Sequence, residues 1–222
     1  MEKKDFSEIK IIGCLMVHDN IYTQRVLDSL AKYTDTILVN LNDATEENKR
    51  IVENHPCVKK IMCTENLKGW RQAHQRGVTA RMADEFTPDL VLFPDDDEFF
   101  PSGLINILKD FWESDKKALY FTMDYYWDNE QSVRKDGQFG HMHHVRVFKW
   151  EPNITYKPYP GKACPRNVFG RSYAFYSPSN IIHLGYMTEE DREKKYKRDG
   201  KAHYITVPTT MIKKPFLCQE NR

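Results

Sequence analysis

The chain has 222 residues, 40% apolar, 29% charged and 13% aromatic, with a formal net charge of +1. That suits one domain of ordinary globular composition, with no overall field to draw it to nucleic acid or an anionic membrane. No apolar run approaches the roughly 20 residues that span a bilayer, MEKKDFSEIK lacks a signal-like apolar core, and Cys14, Cys57, Cys63, Cys164 and Cys218 are scattered, so a cytoplasmic chain with reduced thiols and no zinc site is expected.

Ile9 to Val17 is a short apolar run that breaks at His18-Asp19-Asn20, which predicts a buried strand ending in a polar loop. Ile21 to Tyr33 has apolar residues at helical spacing. Thr36 to Leu41 predicts a second strand, ending in Asn42-Asp43, and Ala44 to Asn54 a charged helix. Val58 to Cys63 predicts a third strand, Thr64 to Gly69 a loop, and Trp70 to Asp84 a helix carrying Arg71, Arg76 and Arg81. Asp89 to Phe93 predicts a fourth strand, followed by Asp95, Asp96, Asp97 and Glu98.

Beyond the acids, Ser102 is placed to cap a helix running to about Trp112. Ala118 to Trp127 predicts one long strand, Asp128 to Gly140 a polar loop, and His143 to Trp150 an alternating strand. Glu151 to Ser179 holds five of the eleven prolines and predicts extended or loop structure. Ile181 to His183 predicts a last short strand, and Thr188 to Arg198 a helix with acids first and bases last.

Strands that are continuous apolar runs, alternating with helices, predict a mostly parallel central sheet flanked by helices, an α/β fold. Such sheets bind ligands outside the carboxyl ends of their strands. Four polar groups stand at those ends: His18-Asp19, Asn42-Asp43, Thr64-Glu65-Asn66 and Asp95 to Glu98. In an extended segment Asp95 and Asp97 share a side, where two carboxylates suit Mg²⁺ or Mn²⁺. The competing reading is a solvated acidic turn.

The order of these parts resembles the GT-A glycosyltransferases, and within them family 2, most closely over residues 9–101. The matching pieces are VHDN after the first strand, NDATEEN after the second, ENLKGW after the third and FPDDDEF after the fourth. IIHLGYMTEEDREKKYKR resembles a family tail in which a His joins the metal shell and bases face a diphosphate. The resemblance implies one Rossmann-like GT-A domain over residues 1–222, with a nucleotide-sugar half at 1–101 and an acceptor-side half with the C-terminal helix at 102–222. It implies transfer of a sugar from a nucleoside-diphosphate sugar, read as a UDP-sugar, to an acceptor hydroxyl on a glycan, a protein or a modified nucleic-acid base.

Carried onto this sequence, the resemblance assigns Asp95, Asp97 and His183 to Mn²⁺ or Mg²⁺. It assigns Val17, His18, Asp19, Asn20, Asp43, Asn66, Trp70, Arg76, Asp95, Asp96, Arg192, Lys195 and Tyr196 to the donor. Trp127 and Glu98 fall on the acceptor side, with Tyr125 and Tyr126 beside Trp127. Asp97 and Asp128 are the catalytic candidates, Asp128 as acceptor base with Asp124 and Glu189 as alternatives. Plainer roles compete: helix caps for Asp19, Asn20 and Asp43, a core histidine for His183, and a solvated helix face for Arg192, Lys195 and Tyr196. Some relatives carry a His-Glu pair after an Arg-x-Phe strand; here Arg146-Val147-Phe148 is followed by Pro160 to Cys164 without it, so the resemblance does not name the base. Two other classes stay open, a nucleotidyltransferase and a non-catalytic nucleotide-sugar-binding module. No Gly-rich phosphate loop follows the first strand, which weighs against the former.

Overall fold

The computed structural model describes residues 4–64, 72–137, 139–152, 156–159, 162–165, 171–200 and 208–214. The first half alternates strand and helix: β1 (Ile11–Val17), α1 (Thr23–Leu30), β2 (Ile37–Asn42), α2 (Glu46–Asn54), β3 (Val58–Thr64), α3 (Gln72–Arg81) and β4 (Leu90–Leu92). The second half runs β5 (Glu98–Phe99), α4 (Leu104–Glu113), β6 (Ala118–Phe121), β7 (Met123–Trp127), β8 (Asn129–Arg134) and β9 (His144–Lys149). It continues with β10 (Tyr156–Tyr159), β11 (Lys162–Pro165), β12 (Ala174–Tyr176), β13 (Ile181–His183), α5 (Glu189–Asp199) and β14 (Met211–Lys213).

Seven strands form the main sheet in the order β12-β6-β9-β4-β1-β2-β3. β3, β2, β1 and β4 run parallel, and β9 is antiparallel to both of its neighbours. β2 and β4 are buried throughout and β1 from Ile12 on, as expected of strands covered on both faces. The helices bury single stripes. In α4 these are Leu104, Ile107, Leu108 and Phe111, spaced three and four apart.

A second sheet, β14-β8-β7-β13-β5, packs beside the first and assembles the site. β13 runs parallel to β7 and antiparallel to β5, so His183 stands opposite both Tyr125 and Glu98. This sheet overturns two expectations. The single strand over Ala118 to Trp127 is divided at Thr122, with β6 in one sheet and β7 in the other. The polar stretch after Asp128 contains β8, whose pairing with β7 and β14 overrides its weak strand composition. A third correction concerns α4. Gly103, at φ +78°, precedes it without a side-chain cap, so Ser102 does not play that part. α5 forms as expected, and the Thr188 hydroxyl accepts from the Asp191 backbone N–H. No helix among the described residues is long and apolar enough to cross a membrane.

Candidate functional site

The four strand ends meet at one edge, and hydrogen bonds link them in series. The His18 backbone N–H donates to the Asp96 carboxylate at 2.8 Å, the His18 ring Nδ1 lies 2.8 Å from the Asn42 carbonyl, and Asn42 Nδ2 donates to Thr64 Oγ1 at 3.2 Å. Asn48 of α2, not anticipated from the sequence, donates to the carbonyls of His18 and Asn20 and clamps the loop after β1. Val17 is buried at the end of β1. The Asn20 side chain accepts from the Tyr22 backbone N–H, a turn-capping role. Asp19 and Asp43 are exposed, and Asp43 adopts the left-handed region at φ +52°. Asn42 Oδ1 is a buried acceptor without a partner among the described residues. Asn66, Trp70 and Arg71 lie outside the described residues.

Asp95 to Glu98 fold into a tight turn, in which the Glu98 N–H donates to the Asp95 carbonyl at 3.1 Å. The carboxylates therefore diverge, contrary to the expectation for an extended segment. Asp95 is paired with Arg76 of α3 and with Arg146 of β9, the latter at 2.8 Å. Burial pushes the Asp95 carboxyl up, but the two guanidiniums override it and hold it below the usual range. Arg146 also grips Glu98 with two N–H groups, at 2.5 and 2.6 Å. Burial raises Glu98 to about 7 even with Arg146 beside it.

Asp97 turns the other way. It lies 3.7 Å from His183 Nε2 and 3.0 Å from Lys195 Nζ of α5. Burial pushes its carboxyl up, and the His183 ring and the Lys195 ammonium more than offset this, so it is ionised at neutral pH. Burial lowers His183 to about 4 despite the Asp97 charge, so its imidazole is neutral, the form that binds metals. Asp96 is pushed up by burial and then by Asp97.

Among the described residues, the ligand atoms within 4.8 Å of one another belong to Asp97, Glu98 and His183. Asp95, expected as a ligand, is not in that set; its carboxylate meets the guanidiniums of Arg76 and Arg146. The donor set fits a divalent ion. Carboxylate oxygens suit Mg²⁺ or Mn²⁺, and one imidazole tilts the choice toward Mn²⁺. Gly185 supplies the room. A Cβ there would collide with the Asp97 carboxylate and the Lys195 ammonium. Gly185→Ala is accordingly expected to weaken divalent-ion binding at this cluster by about tenfold or more, since disturbing the groups around a metal's ligands costs affinity of that order; calorimetric titration with Mn²⁺ and with Mg²⁺ measures it.

The other expected residues divide. Arg76 reaches the site but serves Asp95. Arg192 pairs with Asp128 at 2.9 Å, donates to the Tyr186 and Met187 carbonyls, and stacks on Trp127. Tyr196 is on the outer side of α5, 39% exposed. Trp127 and Glu98 are buried, so neither offers a face to an acceptor as expected. Trp127 is covered by the guanidiniums of Arg134 and Arg192, 4.4 and 4.5 Å from its ring. Asp124 is also buried and is held by Lys135, Lys214 and Asn180. Asp128 has an exposed side chain at a φ +64° corner between β7 and β8, and Glu189 is exposed in the first turn of α5.

The family model described as Glycosyl transferase family 2 matches residues 21–175. The solved structure of S. aureus TarS residues 1–349 is similar with a TM-score of 0.53 at 14% identity, over 88% of this chain and 68% of that one. Longer S. aureus TarS matches with a TM-score of 0.51, also at 14% identity, over 88% of this chain and 41% of that one. This chain thus spans less than half the length of that longer relative. At such identity the likeness is one of fold. A likeness to glucosyl-3-phosphoglycerate synthase from Mycobacterium tuberculosis with Mn²⁺, UDP and phosphoglyceric acid (TM-score 0.36, 15% identity, 54% of this chain and 44% of that one) carries no weight. A search of curated proteins finds no match.

Proposed function

The chain belongs to glycosyl transferase family 2, and from that premise we propose that it is a metal-dependent transferase. It moves a sugar from a nucleoside-diphosphate sugar, read as a UDP-sugar, to an acceptor hydroxyl on a glycan, a protein or a modified nucleic-acid base. The observation that carries this reading is the meeting of Asp97 with His183. Residues far apart in sequence converge, one ionised and one neutral, at the carboxyl edge of a parallel sheet.

Asp97 and His183 would hold Mn²⁺ or Mg²⁺, with Glu98 adjacent. A bound divalent ion supplies charge to stabilise the leaving diphosphate. The chain's own groups do the rest. His18, Asn20, Asn42 and Asp43 border the place for the nucleoside. Lys195 and Arg192 bring positive charge to the diphosphate from α5. Pairing leaves Asp95 and Asp96 facing the protein, so they shape the turn. Asp128 is the favoured acceptor base, since Asp124 is buried in ion pairs. Asp128→Asn is expected to lower kcat by about 10²–10⁴-fold, the usual weight of a general base, and to change UDP binding far less, through the loss of its pairing with Arg192; steady-state kinetics beside calorimetric UDP binding check this.

The reading is tested by thermal unfolding with UDP, GDP, CDP and dTDP, each with Mn²⁺ and with EDTA. One nucleotide is expected to raise the midpoint only when Mn²⁺ is present. No shift with any nucleotide, with or without metal, would remove the donor site.

A further inference from the structure

The acidic run carries its own cations. Arg76 and Arg146 are buried, Arg76 bonded to Asp95 and Arg146 to Asp95 and Glu98, and each also to a backbone carbonyl. They are fixed parts of the core. Lys195 differs on three counts. It arrives from α5, which is otherwise polar and lies at the rim. Its ammonium is a point charge on a flexible four-carbon stem, able to move several ångströms without its helix moving. And it sits on Asp97, the carboxylate that faces His183, 3.0 Å from Oδ2 and 4.2 Å from the centre of the Tyr186 ring.

α5 does not depend on Lys195 for its place. One turn earlier, Arg192 binds Asp128, two backbone carbonyls and the face of Trp127. Thr188 and Asp191 fix the helix start. Lys195 can therefore leave Asp97 while the helix stays docked. Two cations cannot share one carboxylate oxygen at close range without strong repulsion. A divalent ion approaching Asp97 meets an ammonium already in place, and Gly185 leaves that ammonium its room.

We propose, resting on the metal-dependent donor site above, that Lys195 is a resident counter-ion for that site. It neutralises Asp97 while the donor is absent and passes to the diphosphate when the donor arrives. Metal and diphosphate then bind as a cooperative pair, because the anion that accompanies the metal also draws the lysine away. Free divalent ion alone binds weakly, and nucleotide without metal leaves Asp97 on its lysine.

The test is calorimetric titration of the full chain with Mn²⁺ alone, and again with saturating UDP, for the wild type, Lys195→Met and Lys195→Arg. Lys195→Met is expected to bind Mn²⁺ alone about tenfold tighter than the wild type, within the usual range of coupling between two ligands. With UDP present that advantage should shrink or reverse. Lys195→Arg, which keeps the charge, should stay near the wild type, and circular dichroism and thermal midpoints should show all three folded. Equal or weaker binding of Mn²⁺ alone by Lys195→Met overturns the counter-ion while leaving the metal site standing. An advantage undiminished by UDP overturns the transfer to the diphosphate. Failure of all three proteins to bind Mn²⁺, with or without UDP, removes the metal site and the counter-ion with it.

Discussion

Replacing Asp97 by alanine is expected to abolish the Mn²⁺-dependent stabilisation by nucleotide and to lower kcat/KM by about 10³-fold or more, as removal of a group that holds transition-state charge does. Asp97 is the one carboxylate of the run that is ionised, faces His183 and is not held by a guanidinium. Ligand at a hundredfold its Kd adds about 2.7 kcal/mol to stability, which for a chain this long raises the midpoint by roughly 5–10 °C. That increment should vanish in Asp97→Ala and also in Asp97→Asn, which keeps the shape. Differential scanning of each variant with UDP and Mn²⁺ against UDP and EDTA measures it. A metal-dependent shift that survives in Asp97→Asn would move the ion to Asp95 or Glu98, and Arg146 would then have to release one of them.

The strands of the main sheet were legible because their chemistry is local. An unbroken apolar run bounded by polar residues admits few alternatives: β1 and β4 lie within their expected spans, and β2 runs one residue past its own, to Asn42. The capped helix α5 was equally plain, since Thr188, its following acids and the later bases all point the same way. The second sheet was not legible. Asn129 to Arg134 reads as a polar loop, and only its pairing with β7 and β14, distant in sequence, makes it a strand. The same pairing divides Ala118 to Trp127, because Thr122 is where the chain leaves one sheet for the other.

Within the site, the sequence paired Asp97 with His183, which the structure brings to 3.7 Å of each other, but it did not show how the neighbours are arranged. Asp95 and Asp97 were placed together on the assumption of an extended backbone, and a tight turn separates them. The missing signal was Arg146. Arg146 of HVRVFK points away from its neighbours Val145 and Val147, but β9 is an interior strand buried on both faces, so Arg146 is buried too, and a buried guanidinium needs acids. Four carboxylates at the end of a neighbouring strand are the obvious source. Reading that demand would have tied Asp95 and Glu98 to Arg146. Lys195 could be placed on a face with Arg192 by spacing alone, but nothing in the spacing says that its ammonium reaches Asp97.

Arg146→Met tests the other half of this charge arrangement, and it should be strongly destabilising, by about 3–5 kcal/mol, the usual cost of leaving a buried ionic partner alone. Glu98 is 1% exposed and would lose both of its guanidinium hydrogen bonds, while Asp95 would keep Arg76. The loss should depend on pH, with a definite sign. Burial has already raised Glu98 to about 7 in the folded chain, against an ordinary 4.5. A raised carboxyl makes its full contribution below the unfolded value and loses it as pH rises through the folded value. Without Arg146 the folded value rises further, so the deficit of Arg146→Met should be larger at pH 8 than at pH 5. Urea unfolding at the two pH values reads this directly. Adding Glu98→Gln removes the stranded charge, so the double variant should regain at least about 1 kcal/mol at pH 8, as expected for residues in direct contact. A single variant that loses less than about 1 kcal/mol, equally at both pH values, would mean that water rather than Arg146 neutralises the turn.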